Sequence, residues 1–390
     1  MNKNCHIIAM DVLNSLGVGT EDVWAQMMRK TCGIAPTKRF VRGLYQTDYC
    51  AEIPCETGDV IRARENCKVE SRFYLFAHAV LHQVINQLAD LGVDRSKAGL
   101  VLATTKADID EFEKIVSDPA AKVPGYSNPG IISRVLADEL GLTGPVFVVS
   151  NACASSLVGI IQAIRLIQRG DAEVMIVVGV DVLSDFLLSG FSSLSSLSSQ
   201  PCRPYDESRD GLSLGEGAAA IVLCRAECNV PALATVTGWG VSNDANHITG
   251  PSRTGEGLKL ALSKTLKMAG LQPHQVDYIN GHGTGTVYND EMESQALSVI
   301  FNKSHPPVSS MKGYFGHTLG AAGVIETVLC IKAMRECTVP ASLGFERLGV
   351  SKHINVTSEH LHMDLTNIIT FKCGFGGINA ALAISFANVG

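Results

Sequence analysis

Two stretches of this chain can be laid over one another without a gap, and that coincidence restricts the fold more than any other feature of the sequence. Laid so, Cys153 falls on His317, Gly159 on Gly323, Ile161 on Ile325 and Ile167 on Ile331. In the first stretch Leu157, Ile160, Ile161, Ile164 and Ile167 keep the i, i+3, i+4, i+7 spacing of a helix with one buried face, and Gly170 ends it. In the second, Ala321, Val324, Ile325, Val328 and Ile331 keep the same register after the segment 308–312. Short β-branched runs at 146–150 and 174–180 flank the first helix and predict strands buried on both faces, a strand–helix–strand crossover. Each copy is followed by a further buried strand, 218–224 or 380–386. The pattern predicts a duplicated α/β fold, with the copies meeting near the polar turn and proline of 228–231: an N-terminal half, 1–228, and a C-terminal half, 229–390.

At 390 residues the chain has room for two or three folding units and a large core. Only 18% of it is charged against 46% apolar, so much of its surface belongs in a core or a subunit contact. Lys and Arg number 32 against 38 Asp and Glu, with no basic block, which argues against nucleic acid. The run Val174 to Val180 is seven residues long, far from the ~20 that cross a bilayer. The first residues reach Asp11 before any long apolar stretch, so neither a membrane span nor a secretory signal is expected and the cytoplasm is the predicted location. The 12 cysteines lack metal-site spacing and are expected to remain thiols, most of them buried as small hydrophobes.

Cys153 differs from the others in its position. It stands where a predicted strand meets a helix amino terminus, among the small residues Asn151-Ala-Cys-Ala-Ser-Ser156, and helix amides at such a junction lower a thiol pKa. His282 lies in the loop Gly281-His-Gly-Thr-Gly-Thr286 after the apolar run 276–279, at the carboxyl end of a strand, where open α/β sheets place their sites. His317 opens the second repeated helix. A lone histidine or cysteine is usually structural, but the duplication sets His317 opposite Cys153, and the three together predict one shared pocket. Two imidazoles beside one thiol suit a reaction in which negative charge appears on a carbonyl oxygen away from the nucleophile. Gly374-Phe375-Gly-Gly, after the run 368–371, could add a backbone amide from Phe375 to an oxyanion. The serine-rich segment 189–199 has the composition of a flexible linker, but Phe191, Leu194 and Leu197 recur every third residue and favour an ordered loop that anchors a short helix.

With these motifs, together with Pro204-Tyr-Asp206, Arg209-Asp-Gly211, Gly215-Glu-Gly217, Asp244-Ala-Asn-His247, Lys312 and Gly316-His317, the chain resembles the β-ketoacyl-acyl-carrier-protein synthases from end to end. These are the elongating condensing enzymes of the thiolase superfamily. The resemblance implies a thiolase-like duplicated fold, layered αβαβα with two mixed sheets. It implies Cys153 as the acylated nucleophile, the Cys153 and Phe375 amides as oxyanion hole, and His282 and His317 as promoters of malonyl decarboxylation. Lys312 would hold the second histidine, Glu326, Asp290 and Glu293 would form a structural network, and Thr284, Thr286, Asp244, His247 and Phe191 would meet the substrate, with Phe375 as gate. No metal or redox cofactor is implied, since the acyl groups arrive on the phosphopantetheine arm of an acyl carrier protein.

The chain departs from fatty-acid elongating relatives at Thr104-Thr-Lys-Ala-Asp-Ile-Asp110, where a glycine-rich loop is usual, and so predicts a different acyl pocket. Val287-Tyr-Asn289-Asp290 resembles ketosynthase subunits of type II polyketide systems, which implies a heterodimer with a ketosynthase-like chain length factor; a fatty-acid enzyme would be a homodimer. The serine-rich segment also lacks an arginine that often helps to dock the carrier. Arg62, Arg64, Lys68 and Arg72 are either its replacement or a solvated helix face. Two rival readings are a non-condensing chain-length subunit, opposed by the retained Cys153, and a coenzyme A thiolase, for which Cys373 would be the second cysteine.

Overall fold

In the computed structural model, which describes residues 4–57, 71–117 and 128–387, the repeat seen in sequence extends to the order of the strands. The first half contributes β1 (Cys5–Asn14), β2 (Gly99–Ala103), β3 (Val146–Val149), β4 (Val174–Asp181) and β5 (Gly217–Arg225). The second contributes β6 (Ala234–Asn243), β7 (Tyr278–Asn280), β8 (Val308–Ser309), β9 (Asn367–Cys373) and β10 (Ile378–Ser385). From outer edge to centre the orders are β3-β2-β4-β5-β1 and β8-β7-β9-β10-β6. In each half the first three strands are parallel and the last two pairings antiparallel, so both are mixed sheets of one topology. The two are hydrogen-bonded to each other where Cys5, His6 and Ile7 pair with Val236, Thr235 and Ala234. With the short strand Gly17–Val18 this makes one continuous eleven-stranded sheet, a junction beyond the two separate sheets that the resemblance implies.

Helices fill three layers. α5 (Ser155–Arg169) and α10 (Ala322–Arg335) lie in the middle, and their Leu157, Ile160, Ile164 and Val324, Ile325, Val328 share one core with β4, β5 and β9 residues. Outside the first half-sheet pack α2 (Arg72–Asp90) and α4 (Pro129–Glu139); outside the second pack α7 (Glu256–Ala269) and α8 (Val287–Ile300). The apolar stripes predicted from period are the faces that meet here. Gly170 ends α5 in the left-handed conformation at φ 82°, as the stop signal implies. Gly323 lets the middle helices touch, because a Cβ there would lie 2.7 Å from the Leu157 amide nitrogen.

The strand, loop and cysteine expectations fare differently. β4 is buried from Met175 to Asp181, but β3 is the last strand of its order and leaves Phe147 40% exposed, so among the described residues it is covered on one face only. The serine-rich segment is ordered: α6 (Asp185–Ser193) starts before it, capped by the Ser184 hydroxyl, and Leu197 is buried while Leu194 is exposed. A disulfide joins Cys224 and Cys228 where the sequence predicts thiols, because a turn closed by the Cys228 amide on the Arg225 carbonyl folds the end of β5 back on itself. Among the described residues no helix is long and apolar enough to cross a membrane.

Candidate active site

Cys153 precedes α5 in a tight turn whose Ala152 has φ 48°, an uncommon conformation for a residue with a side chain. Its counterpart before His317, Gly316, has φ 69°. The two turns point at each other across the middle layer, and His317 Nε2 lies 3.1 Å from Cys153 Sγ. Because the Leu319 amide donates to His317 Nδ1 at 3.2 Å, that nitrogen must offer its lone pair, and in the neutral ring the proton sits on Nε2, facing the sulfur. The His282 ring stands edge-on to that of His317, centroids 5.0 Å apart. Burial, then Lys312, holds both imidazoles well below the usual histidine range. They are therefore neutral hydrogen-bond donors at pH 7.

The loop that carries His282 is gripped from both sides. Glu293 accepts from the Gly283 amide at 2.7 Å, from the Tyr205 hydroxyl at 2.6 Å and from the Asn289 amide at 2.6 Å. Asp290 accepts from the Thr284 amide at 3.0 Å and the Tyr205 amide at 2.7 Å, with Arg209 at 3.8 Å. Burial and the neighbouring Asp290 push Glu293 up to about 7. Glycine is required at 281 because a Cβ there would lie 2.0 Å from the Tyr205 hydroxyl.

Lys312 opens the short helix α9 (Lys312–Phe315) and is fully buried, as is Glu326 on α10, 2.7 Å from its ammonium group. Lys312 does not bond His317 directly; it acts on the ring through its charge, and the Leu319 amide does the holding. Lys372 on β9 lies 2.8 Å from the same Glu326. Sequence reasoning missed it, and its signal was one lysine in an otherwise uncharged, buried strand. Asp181, at the end of β4, was missed too: it accepts from the Gly320 amide at 2.7 Å and from Thr104 and Thr105, which gives the unusual 104–110 segment a task at the base of the site.

Cys153, His282, His317, Thr284, Thr286, Phe375, Phe191, Asp244 and His247 line one cavity of about 400 Å³, the thiol and the imidazoles of His282 and His317 buried and Phe375 and His247 exposed. The Thr284 and Thr286 hydroxyls are 2.9 Å apart. Phe375 stacks on Phe191 with centroids 5.6 Å apart, and its backbone amide, with that of Cys153, points at the sulfur. Asp244 lines the cavity, but its carboxylate is taken up by the Ser252 amide and the Asn379 side chain. His247 is exposed and folds onto its own loop, Nδ1 accepting from the Thr249 and Gly250 amides.

Two expectations are corrected. Burial pushes the Cys153 thiol up to about 11, although Lys312 and the two amides pull it down. The helix terminus lends less than its position implies, because the Ala154 and Ser155 amides are spent on the Asn151 and Ala152 carbonyls. Arg72 is not a docking charge: it pairs with the buried carboxylate of Glu216, which Arg39 also holds at 2.9 Å. Arg62, Arg64 and Lys68 lie outside the described residues.

The sulfur and imidazole nitrogens of Cys153, His282 and His317 lie within 4.8 Å of one another, a spacing a metal ion can bridge. The surroundings also suit an anion. The Nε2 proton of His317 occupies the ligand direction, two buried lysines that share Glu326 act on both rings through their charge, and backbone amides face the thiol. Such a set stabilises a carbonyl oxygen on its way to an oxyanion.

Family models for the β-ketoacyl synthase N-terminal and C-terminal domains match residues 2–229 and 233–346. A 3-oxoacyl-[acyl-carrier-protein] synthase 2 of Coxiella burnetii is 30% identical over 97% of each chain. Among solved structures, a chain of a ketosynthase in complex with its chain length factor from Xenorhabdus doucetiae has a TM-score of 0.85 at 30% identity, covering 98% of each chain. A type II polyketide synthase ketosynthase with its acyl carrier protein shares the fold, with a TM-score of 0.88 at 21% identity, over 99% of this chain and 100% of that one.

Proposed function

The chain belongs to the β-ketoacyl synthase family and is a condensing, carbon–carbon bond-forming acyltransferase; on that footing we propose how its pocket works and with what it works. Cys153 sulfur attacks the carbonyl of an acyl thioester brought by a carrier protein, the carrier thiol leaves, and the acyl group stays on Cys153. Malonyl carrier then enters past Phe375, with Thr284 and Thr286 taking hydrogen bonds of the phosphopantetheine arm. Its carboxylate departs as carbon dioxide, and the electron pair passes to the thioester oxygen, which accepts from the neutral imidazoles of His282 and His317. The resulting carbanion attacks the acyl carbonyl, whose oxygen takes the Cys153 and Phe375 amides; collapse expels the Cys153 thiolate and frees a product two carbons longer. This sequence asks for no resident metal or redox cofactor, and a nucleophile that must stay reduced suits the cytoplasm.

The observation that carries this reading is the 3.1 Å approach of His317 Nε2 to Cys153 Sγ at the closed end of the cavity. The test is direct: the purified chain with acyl and malonyl carrier proteins releases carbon dioxide and elongates the acyl group by two carbons, and Cys153→Ala abolishes elongation. An active Cys153→Ala protein would contradict it. Cys373 lines the same cavity, the one feature that favours thiolysis of coenzyme A esters, and cleavage of such an ester would replace the present reading.

We place the chain in a type II polyketide system, paired with a ketosynthase-like chain length factor. Support comes from the likeness of Val287-Tyr-Asn289-Asp290 to type II ketosynthase subunits, from the Xenorhabdus doucetiae complex and from the outer strand β3, whose Phe147 is exposed among the described residues. Co-expression with a ketosynthase-like chain length factor should give a heterodimer; a homodimer active alone would assign the chain to fatty-acid elongation instead.

A further inference from the structure

Glu326 is fully buried and is shared by two ammonium groups, Lys312 Nζ at 2.7 Å from Oε1 and Lys372 Nζ at 2.8 Å from Oε2. Two lysines against one glutamate leave one net positive charge in a fully buried triad. Lys372 arrives from β9, whose Thr370 is in register with Asn280 on β7, two residues before His282. Its ammonium group also faces Asn280 Oδ1 at 3.1 Å, Thr370 Oγ1 at 3.3 Å and the Phe371 carbonyl at 2.9 Å. The Thr370 hydroxyl spends its proton on Asn280 Oδ1 at 2.8 Å, so it too can only accept from Lys372. A neutral amine would aim its lone pair at one of these oxygens. Burial pushes Lys372 below the usual lysine range and Glu326 pulls it back up; a cage made wholly of acceptors holds the charged form.

Lys312 already balances Glu326, so Lys372 is not needed for neutrality. We propose that Lys372 is a positioning residue for the carbanion-forming step: it leaves one uncompensated positive charge in the buried triad, against Asn280 at the foot of the His282 loop, and that charge favours an oxyanion at the oxygen the two imidazoles face. The identity of that oxygen rests on the ketosynthase reading.

The charged and titratable groups around the imidazoles come from every neighbouring element. Cys153 precedes α5, and Asp181 of β4, itself paired with Lys106 at 3.2 Å, holds the turn after His317. Asp290 and Glu293 of α8 hold the His282 loop. Asp244 and Cys373 lie along the cavity wall. Behind burial, Lys312 and Lys372 both push each imidazole down. Removing Lys372 therefore raises the imidazole pKa values and moves the acid limb of the decarboxylation profile to higher pH.

The test compares Lys372→Met with the double variant Lys372→Met/Glu326→Gln, in malonyl-carrier decarboxylation followed against pH. The single variant is expected to lose roughly 10- to 100-fold in kcat with little change in KM and to show the displaced acid limb. The double variant leaves Lys312 as the sole charge, restores the net positive charge, and is expected to regain most of the rate and the original limb. A packing role predicts the reverse, since the double variant removes more contacts. A single variant with unchanged kcat and limb, or a double variant no better than the single, overturns the proposal. If Lys372→Met does not fold, Lys372→Gln, which can still donate to Glu326 and Asn280, carries the same expectation. Histidine-selective NMR titration of the substrate-free protein is expected to show both imidazoles protonating at higher pH in the variant; unchanged titration also overturns the proposal. That measurement needs no turnover, so a wild-type protein that fails to decarboxylate would remove the ketosynthase reading and leave the role of Lys372 to be decided by NMR.

Discussion

The turn that presents Cys153 and the turn that presents His317 are built alike and loaded differently. Each follows a strand, each sets the residue before the functional one at positive φ, and each leads into a middle-layer helix of the same apolar register. The first supplies a thiol held by backbone amides, and its helix carries half-buried Gln162 at the position where the second buries Glu326. The second supplies an imidazole backed by Lys312, Glu326 and Lys372. The equivalent strands diverge in sign as well: β4 ends on the acid Asp181, β9 on Lys372-Cys373. Duplication delivered two opposed turns in one cavity. The chemistry came from charge added to one of them.

Equivalent substitutions in the two turns separate shared scaffold from acquired chemistry. The largest effect is expected at Glu326→Ala, which strands two buried ammonium groups and should cost about 3–5 kcal/mol in denaturant unfolding; Gln162→Ala at the matching position should cost within about 1 kcal/mol. Equal losses would break the comparison. Next comes the pH dependence of the thiol. Since burial lifts Cys153 to about 11, it is protonated at neutral pH, and its thiolate fraction rises about tenfold per pH unit below that value. Alkylation by iodoacetamide, located by mass spectrometry, should climb roughly 100-fold from about pH 7 to about pH 9; a plateau near pH 8 would mean that the amides outweigh burial. The smallest effect distinguishes the paired glycines. Gly323→Ala drives a Cβ to 2.7 Å from the Leu157 nitrogen and should cost about 1–3 kcal/mol. Gly159→Ala meets the Val101 methyl at 3.3 Å and the Ala103 and Val177 methyls at 3.5 Å, side chains that can yield by a few tenths of an ångström, and helix propensity should leave it near neutral in thermal unfolding.

Periodicity carried the scaffold into view because each middle helix must bury one stripe between two sheets, and Leu157 to Ile167 and Val324 to Ile331 spell that stripe out. The opposition of Cys153 and His317 was legible through the gapless repeat, and His282 through glycines that the Tyr205 ring makes necessary. Partners of buried charge were not legible. Lys372, Asp181 and Glu216 each find their counterions on elements far away in sequence, and a single charge within an apolar strand names no partner. Arg72 looked like surface charge for the same reason. The acidity of Cys153 was misjudged because position at a helix terminus is visible in sequence, whereas the local turn that consumes the first amides is not. Nor does a β-branched run reveal whether it ends as a central strand, as β4 does, or at an edge, as β3 does.

The most direct test of two opposed turns sharing one reaction is intact-protein and peptide mass spectrometry before and after malonyl carrier is added to protein preincubated with acyl carrier. The account predicts an acyl adduct on Cys153 alone, discharged on malonyl addition with one carbon dioxide per adduct lost, and an adduct that persists when His317→Ala is used. An adduct on Cys373, or one that His317→Ala discharges as fast as the unaltered protein, would contradict it.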